Sequence, residues 1–322
     1  MSTERVAMGV DFGGTRLKIG VVNSKGKIIS RRILLTQQIK SPGDFLDLVK
    51  CQIQSLKDRR CIGVGIGLPG LVDSQQGIVH FLVNVQGWKG VPVSKILKNQ
   101  IGLPVSIDND VNLMTLGEAV FGAGRGCRNL VCLTLGTGVG GGILLEGNLF
   151  RGASLSAGEI GHMVLYPDGR QCKCGGRGCL EAYIGSQQIV ALARSKLGHY
   201  QEGLLAEWIG KGEVLSPLLI SRAARLGDKL SIQIWKEIGG YLGLALTSVV
   251  NLLNPERIII GGGVAKAGAL LFDSVRKTIR DRALNISAKS VRVVMARLGE
   301  NAGIVGAAVL AGITEGNPKI TT

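Results

Sequence analysis

The hydrophobic pattern opens with three short β-rich runs, 6–12 (VAMGVDF), 16–22 (RLKIGVV) and 27–35 (KIISRRILL), separated by GGT and NSKG. Turns of that composition join consecutive hairpins. The same order returns at 129–152 as NLVCLTL, GTG, VGGGILLEG and NLFRG. Two halves that each open with a meander whose first turn is Gly-Thr predict a duplicated α/β fold with facing glycine loops.

Within 42–58, Phe45, Leu48, Val49, Ile53 and Leu56 recur at helical spacing, and CIGVGIGLPG (61–70) reads as a buried strand ending in a turn. LPVSIDND (103–110) predicts a short strand, and VNLMTLGEAVFGAG (111–124) a helix that stops at glycines. Further on, 235–255 predicts a long apolar helix, RIIIGGGV (257–264) a strand with a glycine turn, and 267–284 another helix. Between 184 and 234 there are helical patterns such as SQQIVALARSKLG and no motif. The Gly- and Ala-rich stretch 301–313 predicts a helix that packs closely on another element. The expected division is a small N-terminal α/β domain, 1–108, with the helix 301–313 crossing back onto it, and a large α/β domain, 109–300.

A chain of 322 residues, 45% hydrophobic and 19% charged, is long enough for a substantial core in two domains. No apolar run reaches the roughly 18 residues that span a bilayer, and the start, MSTERVAMGVDFGG, breaks into glycines before a signal-peptide core could form. A cytoplasmic protein with no membrane contact is expected. The net charge of +15 suits anionic ligands. Its basic residues are scattered and aromatics are only 4% of the chain, so a solvated surface is the simpler reading and no nucleic-acid partner is expected.

Seven cysteines at uneven spacing do not make a disulfide framework in a reducing compartment. Three of them crowd into CKCGGRGC, as Cys172, Cys174 and Cys179, with His162 ten positions before. Three thiolates and one imidazole form the closed tetrahedral set that structural zinc prefers. A redox pair would need C-x-x-C in a thioredoxin-like pattern, which is absent. With no ligand position left for water, one structural Zn²⁺ would pin the loop that carries Glu159, His162 and Glu181.

Glycine-rich strand ends at DFGGT (11–15), LPG (68–70), LGTGVGGG (135–142) and IIIGGGV (258–264) let backbone N–H groups close on phosphate oxygens. Neither a Walker loop nor a dinucleotide fingerprint is present. Asp11 beside such a loop suits a hydrated Mg²⁺ ion or a simple turn. Asp110, where a strand gives way to a helix, suits an N-cap or a general base.

Together, DFGGT, GIGLPGLVD, VNVQGW, DNDVN, the long run from Leu130 to Glu181 and NPERIIIGGGVAKAG resemble the pattern of the ROK family (repressor, open reading frame, kinase) over nearly the whole chain. The resemblance implies the duplicated actin-like ATPase (ribonuclease H-like) fold, two domains around a cleft, and a homodimer. It implies ATP-dependent phosphorylation of a hexose at the 6-hydroxyl, glucose before other sugars, with Asp110 as base and Mg²⁺ accompanying ATP.

On the same grounds Gly70, Asn84, Asn109, Asp110, Glu159, His162 and Glu181 would bind sugar hydroxyls. The nucleotide would lie on Asp11, Gly13, Gly14, Thr15, Thr137, Gly138, Gly262 and Gly263. His162 would give one ring nitrogen to zinc and the other to the sugar. Alternatives within the family are kinases for N-acetylmannosamine, N-acetylglucosamine, fructose or allose, a polyphosphate-dependent kinase, and a sugar-sensing repressor. Leu71 stands where N-acetylmannosamine kinases tend to carry arginine, and repressors carry a DNA-binding domain ahead of the first strand, where only ten residues precede Asp11.

Overall fold

The computed structural model describes residues 4–56, 58–82, 85–200 and 202–313. The first meander forms as its alternation predicts, with β1 (Val6–Phe12), β2 (Arg16–Asn23) and β3 (Ile28–Leu35) paired antiparallel in sequence order. Helix α1 (Pro42–Leu56) leads to β4 (Cys61–Leu68), which pairs parallel with β1. A two-stranded ribbon, β5 (Gly70–Asp73) and β6 (Ile78–Leu82), and helix α2 (Val93–Ile101) precede β7 (Val105–Asn109). β7 pairs parallel with β4, giving a mixed sheet of order β3-β2-β1-β4-β7. Helix α3 (Asp110–Phe121) follows without a connecting residue.

The repeated half supplies β8 (Leu130–Leu135), β9 (Val139–Leu145) and β10 (Asn148–Leu149). β10 is shorter than the run 148–152 suggests, and Arg151, beyond its end, pairs with Asp108. Helices α4 (Glu181–Ile184), α5 (Ser186–Leu197), α6 (Leu204–Gly210), α7 (Pro217–Arg225) and α8 (Lys229–Leu253) come next. β11 (Arg257–Gly261), α9 (Ala269–Arg282), α10 (Asn285–Ser290), β12 (Arg292–Met295) and α11 (Ala302–Leu310) complete the chain. The second sheet has the order β10-β9-β8-β11-β12, with β11 and β12 parallel. Two mixed five-stranded sheets, each begun by an antiparallel meander with a Gly-Thr first turn, give the duplicated α/β fold of the actin-like ATPases.

By internal contacts the chain forms two compact units, Met1–Leu130 with Gly142–Gly158 and Ala296–Thr322, and Val131–Gly141 with Glu159–Met295. In the first, β1 and β4 are buried on both faces, as near-continuous apolar runs demand. One face packs Phe12, Phe45 and Trp88 in an aromatic row, with ring centroids 5.1 and 5.5 Å apart. α11 covers the other face through Ile304 and Ala308. Its approach depends on missing side chains: a Cβ on Gly9 would lie 1.9 Å from Ile304 O, and one on Gly65 1.8 Å from Ala307 O. In the second unit α8 and α9 pack closely where Gly239 and Gly243 meet Ser274 and Thr278, and Trp235 of α8 is fully buried.

Candidate functional site

In the first unit the carboxyl ends of β1 and β7 carry the predicted chemistry, where open α/β sheets place their ligands. Asp11 is the half-buried penultimate residue of β1 and lies 3.3 Å from Lys18 Nζ across the β1–β2 pair. Burial pushes its carboxyl above the usual value, and the Lys18 ammonium opposes that. Lys18 is held in turn by Glu300 O at 3.0 Å. The start of α11 closes over Asp11, since a Cβ on Gly303 would sit 2.4 Å from Asp11 Cγ.

The Gly13–Thr15 turn is fastened by Gly13 N donating to Arg16 O at 3.0 Å and by Thr36 Oγ1 donating to Gly14 O at 3.0 Å. A Cβ on Gly14 would meet nothing within 4 Å, so the turn presents open backbone. A pocket of about 430 Å³ opens there, lined by Gly13, Gly14, Thr36, Lys40 and Gln86 among others.

At the end of β7, Asp108, Asn109 and Asp110 make one corner. The helix cap is Asn109, whose Oδ1 accepts from Val111 N at 2.9 Å and Asn112 N at 3.4 Å. Asp110 is therefore the first helical residue and not the N-cap that its position suggests in the sequence. Its Oδ1 accepts from Val111 N at 3.0 Å, and a carboxylate in the first turn also gains from the helix dipole.

Asn109 Nδ2 donates to Gly70 O at 3.3 Å. Gly70 sits at φ +154°, and a Cβ there would lie 2.1 Å from Phe81 O, so glycine is required by the β5–β6 ribbon itself. The structure thus joins Gly70, Asn109 and Asp110 in one place, whereas Asn84 lies outside the described residues.

The second unit holds the cysteine loop. Leu180 N donates to Met163 O, Cys172 N donates to Gly176 O, and bridges Val164–Cys179 and Gln171–Arg177 close the hairpin. Gly178, at φ +72°, allows the turn, since a Cβ would stand 1.7 Å from Tyr166 O. One ligand atom each from His162, Cys172, Cys174 and Cys179 lies within 4.8 Å of every other. Cys174 Sγ and Cys179 Sγ are 3.7 Å apart, and Cys172 Sγ is 3.7 Å from His162 Nδ1.

A tetrahedral ion with Zn–S near 2.3 Å and Zn–N near 2.0 Å sets these edges at about 3.8 and about 3.5 Å, whereas a disulfide needs about 2.05 Å. Burial, with the neighbouring thiols, pushes Cys179 up to about 12. A divalent cation held by His162 and the three cysteines would reverse that by favouring the thiolate form. The donor set fits a structural zinc ion. His162 turns Nδ1 to the sulfurs, while Nε2 lies 3.9 Å from Glu159 Oε2.

Glu181, the first residue of α4, is tied to the glycine loop of the same unit. Its Oε2 accepts from Val139 N at 2.8 Å, and a Cβ on Gly138 would come within 2.6 Å of that oxygen. Gly136 N donates to Gly138 O, and Ser186 N and Oγ both donate to Gly136 O, at 2.9 and 2.6 Å. Thr137 is thus carried on a fastened turn. At the end of β11, Gly262 (φ +88°) is forced by β8, where a Cβ would stand 2.3 Å from Leu135 O. Gly263 faces open space.

Lys18, Arg151 and Ser186 were not singled out by sequence reasoning. Each acts through a partner at least seven positions away, which no local motif records.

Two mixed five-stranded sheets, each with a glycine loop at a strand end, place the chain in the duplicated α/β class. The profile of the ROK family matches residues 7–313, and the chain belongs to that family. A curated relative, the glucokinase of Thermotoga maritima, is 37% identical over 94% of this chain and 95% of its own. The crystal structure of a ROK family glucokinase from Streptomyces griseus in complex with glucose and AMPPNP superposes with a TM-score of 0.79 at 34% identity, covering 95% of this chain and 98% of that one. A ROK family transcriptional regulator, a homologue of the Escherichia coli Mlc protein, gives a TM-score of 0.87 at 29% identity, covering 97% and 79%. Among the described residues no helix is long and apolar enough to cross a membrane.

Proposed function

We propose that the protein is an ATP-dependent hexose kinase that converts glucose to glucose 6-phosphate. The observation that carries this reading is Asp110, a carboxylate in the first turn of α3 at the carboxyl end of β7, beside Asn109, which caps that helix. In the proposed reaction the sugar 6-hydroxyl oxygen attacks the γ-phosphorus, Asp110 takes its proton, and the bond to the bridging oxygen breaks to release ADP. Asn109 keeps one Nδ2 hydrogen for a sugar hydroxyl after serving Gly70 O. Gly70, Asn84, Glu159, His162 and Glu181 are assigned to the remaining hydroxyls through the family pattern.

Gly13, Gly14, Thr15, Thr137, Gly138, Gly262 and Gly263 are assigned to the nucleotide, and the open faces of Gly14 and Gly263 support this. Asp11 is suited to Mg²⁺ accompanying ATP. With Lys18 already at 3.3 Å, it would hold the ion through water, as magnesium prefers. That ion would supply charge neutralisation on the β- and γ-phosphates.

His162, Cys172, Cys174 and Cys179 would hold one zinc ion that fixes the loop and the His162 tautomer. A homodimer, a cytoplasmic location and a small domain, 1–108, followed by a large one, 109–300, belong to the same reading. The test is hexose-dependent ADP release with ATP and magnesium across glucose, mannose, fructose, allose, N-acetylglucosamine and N-acetylmannosamine. Glucose is expected to be turned over fastest, and turnover of another sugar alone would reassign the substrate.

The likeness to a transcriptional regulator favours a second reading, a sugar-responsive regulator. Saturable glucose binding without ADP release on any sugar would select it.

A further inference from the structure

Arg151 has no part in the roles assigned above. Its Nε and Nη2 both donate to Asp108 Oδ2, at 2.9 and 2.7 Å. Asp108 Oδ1 accepts from Asn109 N at 2.7 Å and from Asn112 Nδ2 at 2.8 Å. Asp108 is 1% exposed, and a carboxylate so deep persists as a charge only when paired and hydrogen-bonded. Four donors on two oxygens satisfy the carboxylate and fix its orientation.

The guanidinium is itself delivered by a fastened loop, in which Ala157 N donates to Arg151 O at 2.9 Å and Gly152 turns the chain at φ +71°. Asp108, Asn109 and Asp110 are consecutive. Whatever holds the Asp108 side chain and the Asn109 N–H therefore sets where the Asn109 cap and the Asp110 carboxylate point.

We propose that Arg151 is a positioning residue for phosphoryl transfer: through Asp108 it fixes the Asn109–Asp110 corner and keeps the Asp108 charge compensated two residues from the base. This rests on the reading of Asp110 as base. A lysine would restore the charge without the two parallel N–H donors, so it replaces arginine only in part. Removing the guanidinium alone leaves a buried unpaired carboxylate. Removing the carboxylate as well relieves it.

The experiment measures kcat, both KM values and the thermal midpoint for the wild type, Arg151→Lys, Arg151→Met and the double variant Asp108→Asn with Arg151→Met. Misplacing a catalytic group by about 1 Å costs about 10²-fold. Arg151→Met is therefore expected to lower kcat about 100-fold with KM for ATP changed less than about threefold, and Arg151→Lys to fall between. The double variant is expected to recover roughly tenfold over Arg151→Met, the signature of two coupled residues.

An unchanged kcat in Arg151→Met, or a double variant as slow as the single one, would overturn the proposal. If Arg151→Met does not fold, Arg151→Lys decides: lowered kcat at steady KM for ATP supports the role, and unchanged kcat overturns it. A wild-type protein that phosphorylates no sugar overturns the kinase reading and takes the Arg151 role with it. That result differs from an active wild type with indifferent variants.

Discussion

Glu181 Oε2 accepts the backbone N–H of Val139 at 2.8 Å, which ties the first residue of α4 to the glycine loop Gly136–Gly138. A residue assigned to the sugar thus also braces a turn assigned to the nucleotide. Hydrogen bonds to a charged acceptor are worth about 1.5–3 kcal/mol. Glu181→Ala is expected to raise the KM for glucose and the KM for ATP, each roughly 10-fold or more. Steady-state kinetics with both substrates varied checks this, and a change confined to one substrate would separate the two roles.

Asp110→Asn keeps the size and the helix start and removes the proton acceptor. General-base catalysis contributes about 10²–10⁴-fold, so kcat is expected to drop by that range. Glucose affinity, followed by calorimetry, is expected to stay within about threefold, because a lost base acts on the transition state and not on ground-state binding. Retained turnover would remove Asp110 from the role.

Cys174→Ser takes one sulfur from a set whose edges match a tetrahedral ion. Elemental analysis of purified protein is expected to find about one zinc per chain in the wild type and little in the variant. Glucose affinity is expected to weaken, because the loop bearing His162 and leading to Glu181 loses its tether. A zinc-free variant with normal affinity would refute the tether.

Asp11, assigned to the magnesium side of the nucleotide, carries a cost to stability. Its carboxyl is raised above the usual 3.8 chiefly by burial, so its folded-state stabilisation is complete below the unfolded value and is lost as pH rises through the higher folded value. Asp11→Asn has no such loss. The variant is expected to melt above the wild type at neutral pH, with the difference closing below about pH 4, while activity is abolished. Thermal scans between pH 3 and 8 read this directly, and a wild type that stays the more stable at pH 7 would contradict the burial argument.

Gly303→Ala places a Cβ 2.4 Å from Asp11 Cγ. Overpacking of this kind costs about 1–3 kcal/mol, and here it also displaces a site carboxylate. Both a lower thermal midpoint and a lower kcat are expected. Gly263→Ala, open on all sides, is the comparison that should leave the midpoint within about 1 °C, since surface changes stay within about 0.5 kcal/mol.

Much of this was legible beforehand because it is written locally. The meander strands, α1, β4, β7, α8 and β11 follow from alternation, helical spacing and glycine punctuation, and the cluster of three cysteines and His162 follows from their spacing in the sequence. Of the two readings open at Asp110, the N-cap falls instead to Asn109, because both residues suit a cap and only the backbone shows which one lies outside the helix.

The Asp108–Arg151 pair spans 43 positions and joins a strand end to a loop, which no periodic pattern encodes. Gly9, Gly65 and Gly306 read as weak strand or helix positions. Their reason is contact between backbones far apart in sequence. In Gly70 and Gly262 the sequence suggested ligand loops, and packing against Phe81 and Leu135 already accounts for glycine at both.

The central claim is most directly tested by identifying the product. Phosphorus NMR of wild-type protein incubated with glucose, ATP and magnesium, run beside Asp110→Asn, is expected to show glucose 6-phosphate and ADP appearing together in the first sample and neither in the second. ADP without a sugar phosphate, a phosphate on another hydroxyl, or equal product from both proteins would contradict the account.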